Sequence, residues 1–225
     1  LLTHVGDTVG QAVAAHKVGV GGKGDAKTVG HDDIGQPCRL NLAQIGGFGA
    51  AALAVMCCAL PAHAQTYTVA ATSYSFETVS TNAGLTLDDE STGAIALGFT
   101  FPFGTGTRTS AYLSSNGLIS FDAADAWYSN QALPYGTGGY IFPFWDDLTA
   151  SSGTVTYGTL GTSPNRRFVA SWNNVPYYAS SGRTTTFQAI LYESGNIKLQ
   201  WAANNYASAS PTIGFQASTT AACGA

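Results

Sequence analysis

The sequence predicts an all-β protein, a two-layer antiparallel β-sandwich preceded by a cleavable signal segment. Three observations carry the prediction. After Ala64, short apolar or alternating runs recur, separated by clusters of Gly, Ser, Asn, Asp and Pro. No segment in that region repeats its apolar residues with the 3.6-residue period of a helix. The composition is also that of an extracellular β protein, with 27 Gly among 225 residues, 10% charged and 12% aromatic.

The chain changes character near residue 65. His4, His16, His31 and His63 all lie before it, as do Cys38, Cys57 and Cys58, whereas every Tyr and Trp lies after it. Residues 38–64 read as a signal peptide. Arg39 supplies the positive start, Ile45 to Leu60 is an uncharged and mostly apolar run, and Pro61 ends it. Ala62 and Ala64 place small residues at the two positions a signal peptidase reads. The apolar run is shorter than the roughly twenty residues of a spanning helix, so the mature form is expected to have no membrane span. Residues 1–37 mix Gly, Val, His, Lys and Asp without periodicity and are expected to be an unstructured leader or a mis-called start.

Residues 65–225 are long enough for a two-layer core. Candidate strands follow in order at Tyr67–Ala71, Ala94–Phe101, Ala111–Ser114, Leu118–Phe121, Tyr140–Phe144, Thr154–Leu160, Arg167–Trp172, Thr184–Tyr192, Ile197–Trp201 and Thr212–Gln216, with Tyr74–Val79 as a possible edge strand. Two of them alternate clearly. Phe187, Ala189 and Leu191 share one face of the first, and Ile197, Leu199 and Trp201 share one face of the second, the pattern of a half-buried antiparallel strand. Glu193-Ser194-Gly195-Asn196 joins that pair as a hairpin, and Ser115-Asn116-Gly117 reads as a second tight turn. Aromatics spread over most strands can fill one layer between two sheets, which favours a sandwich over a barrel.

The same residues exclude several chemistries. With no His after Ala64, Ser-His-Asp and Cys-His catalysis and His-containing zinc sites are absent from that region. Its only Cys is Cys223, which suits an intermolecular disulfide in an oxidising compartment. Its basic residues are Arg108, Arg166, Arg167, Arg183 and Lys198, too few and too scattered for a nucleic-acid partner. Clustered acids point instead to Ca²⁺, a hard cation that takes carboxylate oxygens. Asp146 and Asp147 are the first candidates, and Asp88, Asp89 and Glu90 the second. The competing reading is that Asp146 and Asp147 cap a turn and that Asp88–Glu90 is a solvated loop. Trp127, Tyr128, Tyr135, Tyr177 and Tyr178 fall in expected loops, where aromatics stack on sugars or anchor protein partners, or else tuck under their loops as core. The connection from Ala123 to Gly139 is the most loop-like stretch and carries three of them.

Several blocks together resemble a known family: LGFTFPFGTGTRTSAYLSSNGLISFD at 97–122, NQALPY at 130–135, IFPFWDDL at 141–148, GTVTYGTLGTSPNRRFVASWNNVPYY at 153–178, and TFQAILYESGNIKLQW at 186–201 followed by TIGFQ at 212–216. This pattern is similar to the β-sandwich module of bacterial secreted proteins that resembles the nidogen-type extracellular (NIDO) domain. The resemblance implies an extracellular or cell-surface setting and a non-catalytic role in adhesion or matrix and surface assembly, with an extracellular protein or glycan as partner. The alternative is a secreted carbohydrate-active hydrolase or carbohydrate-binding domain, since a glycosidase needs two carboxyls facing each other across a sugar.

The signal reading has a direct test. N-terminal sequencing of the exported protein should begin at Gln65, and residues 1–38 in the exported form would refute it.

Overall fold

Alternation of apolar and polar residues on short segments, broken by turn formers, leaves antiparallel pairing as the way to satisfy the backbone and bury one face. The computed structural model describes residues 2–5, 14–17, 66–180, 182–204 and 209–217. Its strands are β1 (Leu2–Val5), β2 (Ala14–Lys17), β3 (Thr66–Val69), β4 (Thr81–Asn82), β5 (Ile95–Phe103), β6 (Gly106–Leu113), β7 (Ile119–Ser120), β8 (Tyr140–Trp145), β9 (Thr154–Leu160), β10 (Arg167–Pro176), β11 (Thr184–Tyr192), β12 (Ile197–Asn204) and β13 (Thr212–Gln216).

They form two antiparallel sheets, in the orders β3-β1-β12-β11-β10-β9-β4 and β2-β13-β8-β7-β6-β5. Residues 81–216 supply five strands to each, and β1, β2 and β3 extend one edge of each. The all-β sandwich expected from the pattern is therefore the fold observed. The chain divides into a unit of residues 1–21 with 62–225 and a second unit of residues 22–61, which lies outside the described residues. The signal segment 38–64, with Ala62 and Ala64, and Cys223 lie outside them as well. Among the described residues no helix is long and apolar enough to cross a membrane.

One core fills the space between the sheets. Phe168, Ala170, Trp172, Phe187, Ala189 and Leu191 come from β10 and β11, and Leu97, Phe101, Phe103, Leu113, Ile141, Phe144 and Phe215 come from the other sheet. At its centre Phe187 stacks on Trp172 at 4.9 Å and on Phe144 of the opposite sheet at 5.2 Å. The Trp172 indole donates to the Ser114 carbonyl at 2.8 Å, so the largest core residue also satisfies its polar atom across the sandwich. A smaller apolar cluster of Leu118, Leu133, Phe142 and Trp145 lies on the other face of β8, with Tyr135 and Tyr140 packed against it.

Two expectations need correction. The strand expected to end at Phe101 runs on through Pro102 and Phe103 as β5, and the chain reverses at Gly104 (φ 64°) into β6, which starts at Gly106 rather than Ala111. Tyr74–Val79 forms no edge strand. It crosses the outer face of the β12-β11-β10-β9 sheet as a strap, held by amide side chains that imitate a paired strand. Gln200 accepts from Ser75 N and donates to Ser75 O, and Gln188 does the same with Glu77. Arg167 completes the strap by pairing with Glu77 at 2.6 Å. The strap then delivers Thr81–Asn82 to the edge of β9 as β4. Two segments before Ala64 also form strands: Leu2–Val5 lies between β12 and β3, and Ala14–Lys17 pairs with β13. Open sheet edges offer unpaired backbone groups that an extended segment satisfies whatever its side-chain pattern, which is why no periodicity announces these two.

The Ser114–Gly117 turn is the tightest joint in the fold. Gly117 has φ 72°, and a Cβ there would sit 2.2 Å from the Phe144 carbonyl oxygen. Replacing Gly117 by Ala is expected to cost more than about 2 kcal/mol, through left-handed backbone strain and that backbone clash. Chemical denaturation measures it, and a near-neutral result would show that the turn relaxes freely.

Candidate functional site at the loop end

The acids singled out in the sequence lie in two loops about sixty residues apart, and the fold brings part of each together. The Asp146-Asp147 pair follows the buried strand β8, and the Asp88–Glu90 run lies in the loop before β5. An isolated bridge, Asp88 with Thr149, lays the two loops side by side. Asp88, Asp89 and Asp147 then place carboxylate oxygens within 4.8 Å of one another. The other two candidates serve their own turns. Glu90 Oε2 accepts from the amides of Thr86 and Leu87, and Asp146 Oδ1 accepts from the amide of Asp147. Asp146 thus caps its own turn, while Asp147 lies with Asp88 and Asp89.

A carboxylate close to other negative charges holds its proton more tightly. Partial burial and then the charges of Asp88, Asp89 and Asp146 push the Asp147 carboxyl up to about 6. Asp88 is raised as well, by burial and by Asp89. One buried oxygen of Asp88, Oδ1, has no hydrogen-bond partner. Oxygen donors of this kind are those a hard divalent cation such as calcium takes.

A residue not singled out in the sequence organises this end. Asn116 is fully buried. Its Nδ2 donates to Asp89 Oδ1 and to the Ala126 carbonyl, both at 2.8 Å, and its Oδ1 accepts from Leu148 N at 2.8 Å. One amide therefore ties the acidic loop, the exit of β8 and the 123–139 connection together. The Ser-Asn-Gly motif was legible as a turn, but burial of its Asn was not.

The aromatic candidates divide in the same way. Trp127 and Tyr128 are 49% and 44% exposed, with ring centroids 5.2 Å apart. Their main chain is fixed from both sides: Trp127 N donates to Asp125 Oδ1 at 2.9 Å, and the buried Trp145 indole donates to Trp127 O at 2.7 Å. Asp125 is itself held by the Tyr140 hydroxyl at 2.9 Å. Tyr178 is also exposed, and its amide donates to the Asp147 carbonyl at 2.9 Å, so it stands beside the acids. Leu87, next to Asp88, is exposed too. Tyr177 instead belongs to the core, where its ring meets Phe144. Tyr135 packs on Trp145 at 4.7 Å, and burial with nearby Asp125 pushes its hydroxyl up to about 12. Within the 123–139 connection, Leu133 and Tyr135 cover the sheet, while Trp127 and Tyr128 face solvent.

Arg166 and Arg167 are structural. Arg166 pairs with Glu193 at 2.5 Å and holds that carboxyl down to about 2, while Arg167 pairs with Glu77.

A family model described as NIDO related matches residues 66–224. Among curated proteins, alpha-tectorin of Mus musculus is 29% identical over 136 residues, covering 49% of this chain and 6% of the tectorin. Alpha-tectorins of Gallus gallus and Homo sapiens match at 28% and 27% identity, again over 6% of their length. No solved structure matches.

The acidic cluster has a pH signature. A carboxyl whose folded pKa stands near 6 binds its proton more tightly in the fold than in the unfolded chain. Its contribution is therefore favourable at low pH and is lost as pH rises from about 4 through about 6. In chelator, Asp147→Asn is expected to be more stable than the parent at pH 7 by about 1 kcal/mol after solvent screening, the gap closing below about pH 4. Thermal melts across that range measure it; a constant gap, or a destabilised variant, contradicts the assignment.

Proposed function

The chain belongs to the NIDO-related family, and on that premise we propose that residues 65–225 act as a non-catalytic extracellular module for adhesion or for matrix and surface assembly. Export removes residues 1–64 in this reading. The family match over residues 66–224 and the partial similarity to alpha-tectorin support this reading.

The observation that carries the contact role is the pinned aromatic pair. Exposing two large rings is unfavourable in water unless a partner covers them. Here the rings do not hang from a mobile tip. Hydrogen bonds to Asp125 and Trp145 fix the backbone beneath them, and the buried Asn116 holds the neighbouring Ala126. A partner then meets rings already in position, which lowers the ordering cost of binding. Asn116 joins Ala126, next to Trp127, to Asp89 of the clustered Asp88, Asp89 and Asp147 carboxylates. Rigid aromatics next to acids suit a glycan, through stacking and hydroxyl hydrogen bonds with or without calcium, or a protein surface.

Replacing Trp127 and Tyr128 together by Ala tests this reading. Adhesion of the exported protein to glycan- and protein-coated surfaces should fall at least about tenfold, a loss of about 1.4 kcal/mol, while the melting temperature moves by only a few degrees. Loss of several kcal/mol of stability would mark the pair as packing and end the contact reading.

A further inference from the structure

We propose that β13 is a strand-acceptor edge through which two copies of the processed protein pair. The pairing depends on the removal of residues 1–64 proposed above.

β13 lies between β8 and β2. On its outward side it seats β2 in an unbroken antiparallel register: Thr212 with Lys17, Ile213 with His16, Gly214 with Ala15, and Phe215 with Ala14. On its inward side the register slips between Thr212 and Gly214, so the irregularity of this strand faces β8 and leaves the outer edge regular. Cleavage after Ala64 takes β2 away and leaves that outer row of N–H and C=O groups without a protein partner. Such a row is a template for another strand.

The other edges are poor templates. β4 has two residues. β5 contains Pro102, which lacks a backbone donor, and its register breaks between Ala96 and Phe101. β12 carries the charged Lys198, a guard against edge pairing, and it meets β1 only at the pair Leu2 with Ile197. β13 carries none of these guards. Its sequence, Thr-Ile-Gly-Phe-Gln, has no charge and no Pro.

The strand is also held ready. Gln216 Nε2 donates to the carbonyls of Tyr135 and Gly138 at 2.8 and 3.1 Å, and Thr212 Oγ1 donates to the Gln131 carbonyl at 2.7 Å. Phe215 is buried in the core with its ring 4.6 Å from Tyr67. The Gln216 and Thr212 hydrogen bonds involve no residue of 1–64, so they survive processing.

A second copy fits this edge because the strand is self-complementary. Antiparallel pairing centred on Gly214 sets glycine against glycine at the two-fold axis, where no side chain holds the backbones apart. Ile213 then lies opposite Phe215 of the second copy, and Thr212 opposite Gln216. Aromatic and β-branched cross-strand pairs stabilise such ladders, and a two-fold axis closes the assembly at two copies.

The test uses the full chain with a specific protease site inserted between Ala64 and Gln65, folded intact and then cut. Sedimentation velocity at about 100 µM, where weak dimers populate, should give a monomer before cleavage and a twofold mass once the N-terminal piece is separated. A synthetic peptide of residues 12–19 should return the cut protein to monomer, whereas the same peptide with Ala15→Pro should not, because proline lacks the backbone donor. A single mass after cleavage and separation, or a doubled mass indifferent to the peptide, overturns the pairing. The cut is made in the tube, so either result leaves the export reading untouched; a start that retains residues 14–17 in exported protein refutes export and removes the pairing from the exported form, while the result for the cut chain stands.

Discussion

The buried side chain of Asn116 is the constraint on which the loop end of this sandwich depends. Asn has two amide protons and one carbonyl oxygen to satisfy, and here all are used, on Asp89, Ala126 and Leu148. These belong to three loops, two of which are also joined by the isolated bridge of Asp88 with Thr149. A buried amide left half-satisfied costs about 1–3 kcal/mol, so the three loops are bound to one arrangement. The main chain of the same turn is engaged as well. Asn116 O accepts from Asp146 N, Gly117 O accepts from Phe144 N, and Ser114 O accepts from the Trp172 indole. A turn between two short strands thus becomes the junction of both sheets and the candidate site.

The same device recurs on the outer face of the β12-β11-β10-β9 sheet. Gln188 and Gln200 are buried, and each binds both main-chain groups of one strap residue. Gln200 also donates to Gln188, and Gln188 to Ser171 Oγ, so the row is continuous across three strands. Apolar residues alone would bury this face without fixing the strap's register. Amides that match one N–H and one C=O do fix it, since a one-residue slip would turn each pair out of reach. Both loop systems therefore owe their positions to side-chain amides, and the sheets serve as the rigid frame.

That frame explains the electrostatics of the site. Asp88, Asp89 and Asp147 repel one another, and in a flexible loop they would separate. The Asp88–Thr149 bridge and the Asn116 hydrogen bonds keep them close. The strain appears as the raised proton affinities of Asp147 and Asp88. A cation or a proton relieves it, and so does a ligand that donates hydrogen bonds. Exposed aromatics on the adjoining loop add apolar area to the same surface.

Much of this was legible in the sequence. Alternation in Thr184–Tyr192 and Ile197–Trp201 gave strands, faces and a hairpin, because side chains on a strand must point to opposite sides and water selects which side is polar. The interval from Phe101 to Gly104 was less legible, because proline argues against a strand interior and only the edge position of β5 tolerates it. The acids and aromatics were visible as residue types, but their grouping was not. Which of Asp146 and Asp147 caps a turn, and which of Tyr177 and Tyr178 is core, depends on the direction of one side chain at the end of a strand. The sequence by itself determined the fold class, the main strands and the chemistry that residues 65–225 lack, since these follow from local periodicity and residue inventory. Tertiary structure alone decided that Asn116 is the hub, that Tyr74–Val79 is a strap, and that Asp88, Asp89 and Asp147 meet. Each of those rests on hydrogen bonds or charges between residues far apart in the chain, and no local pattern records such a pairing.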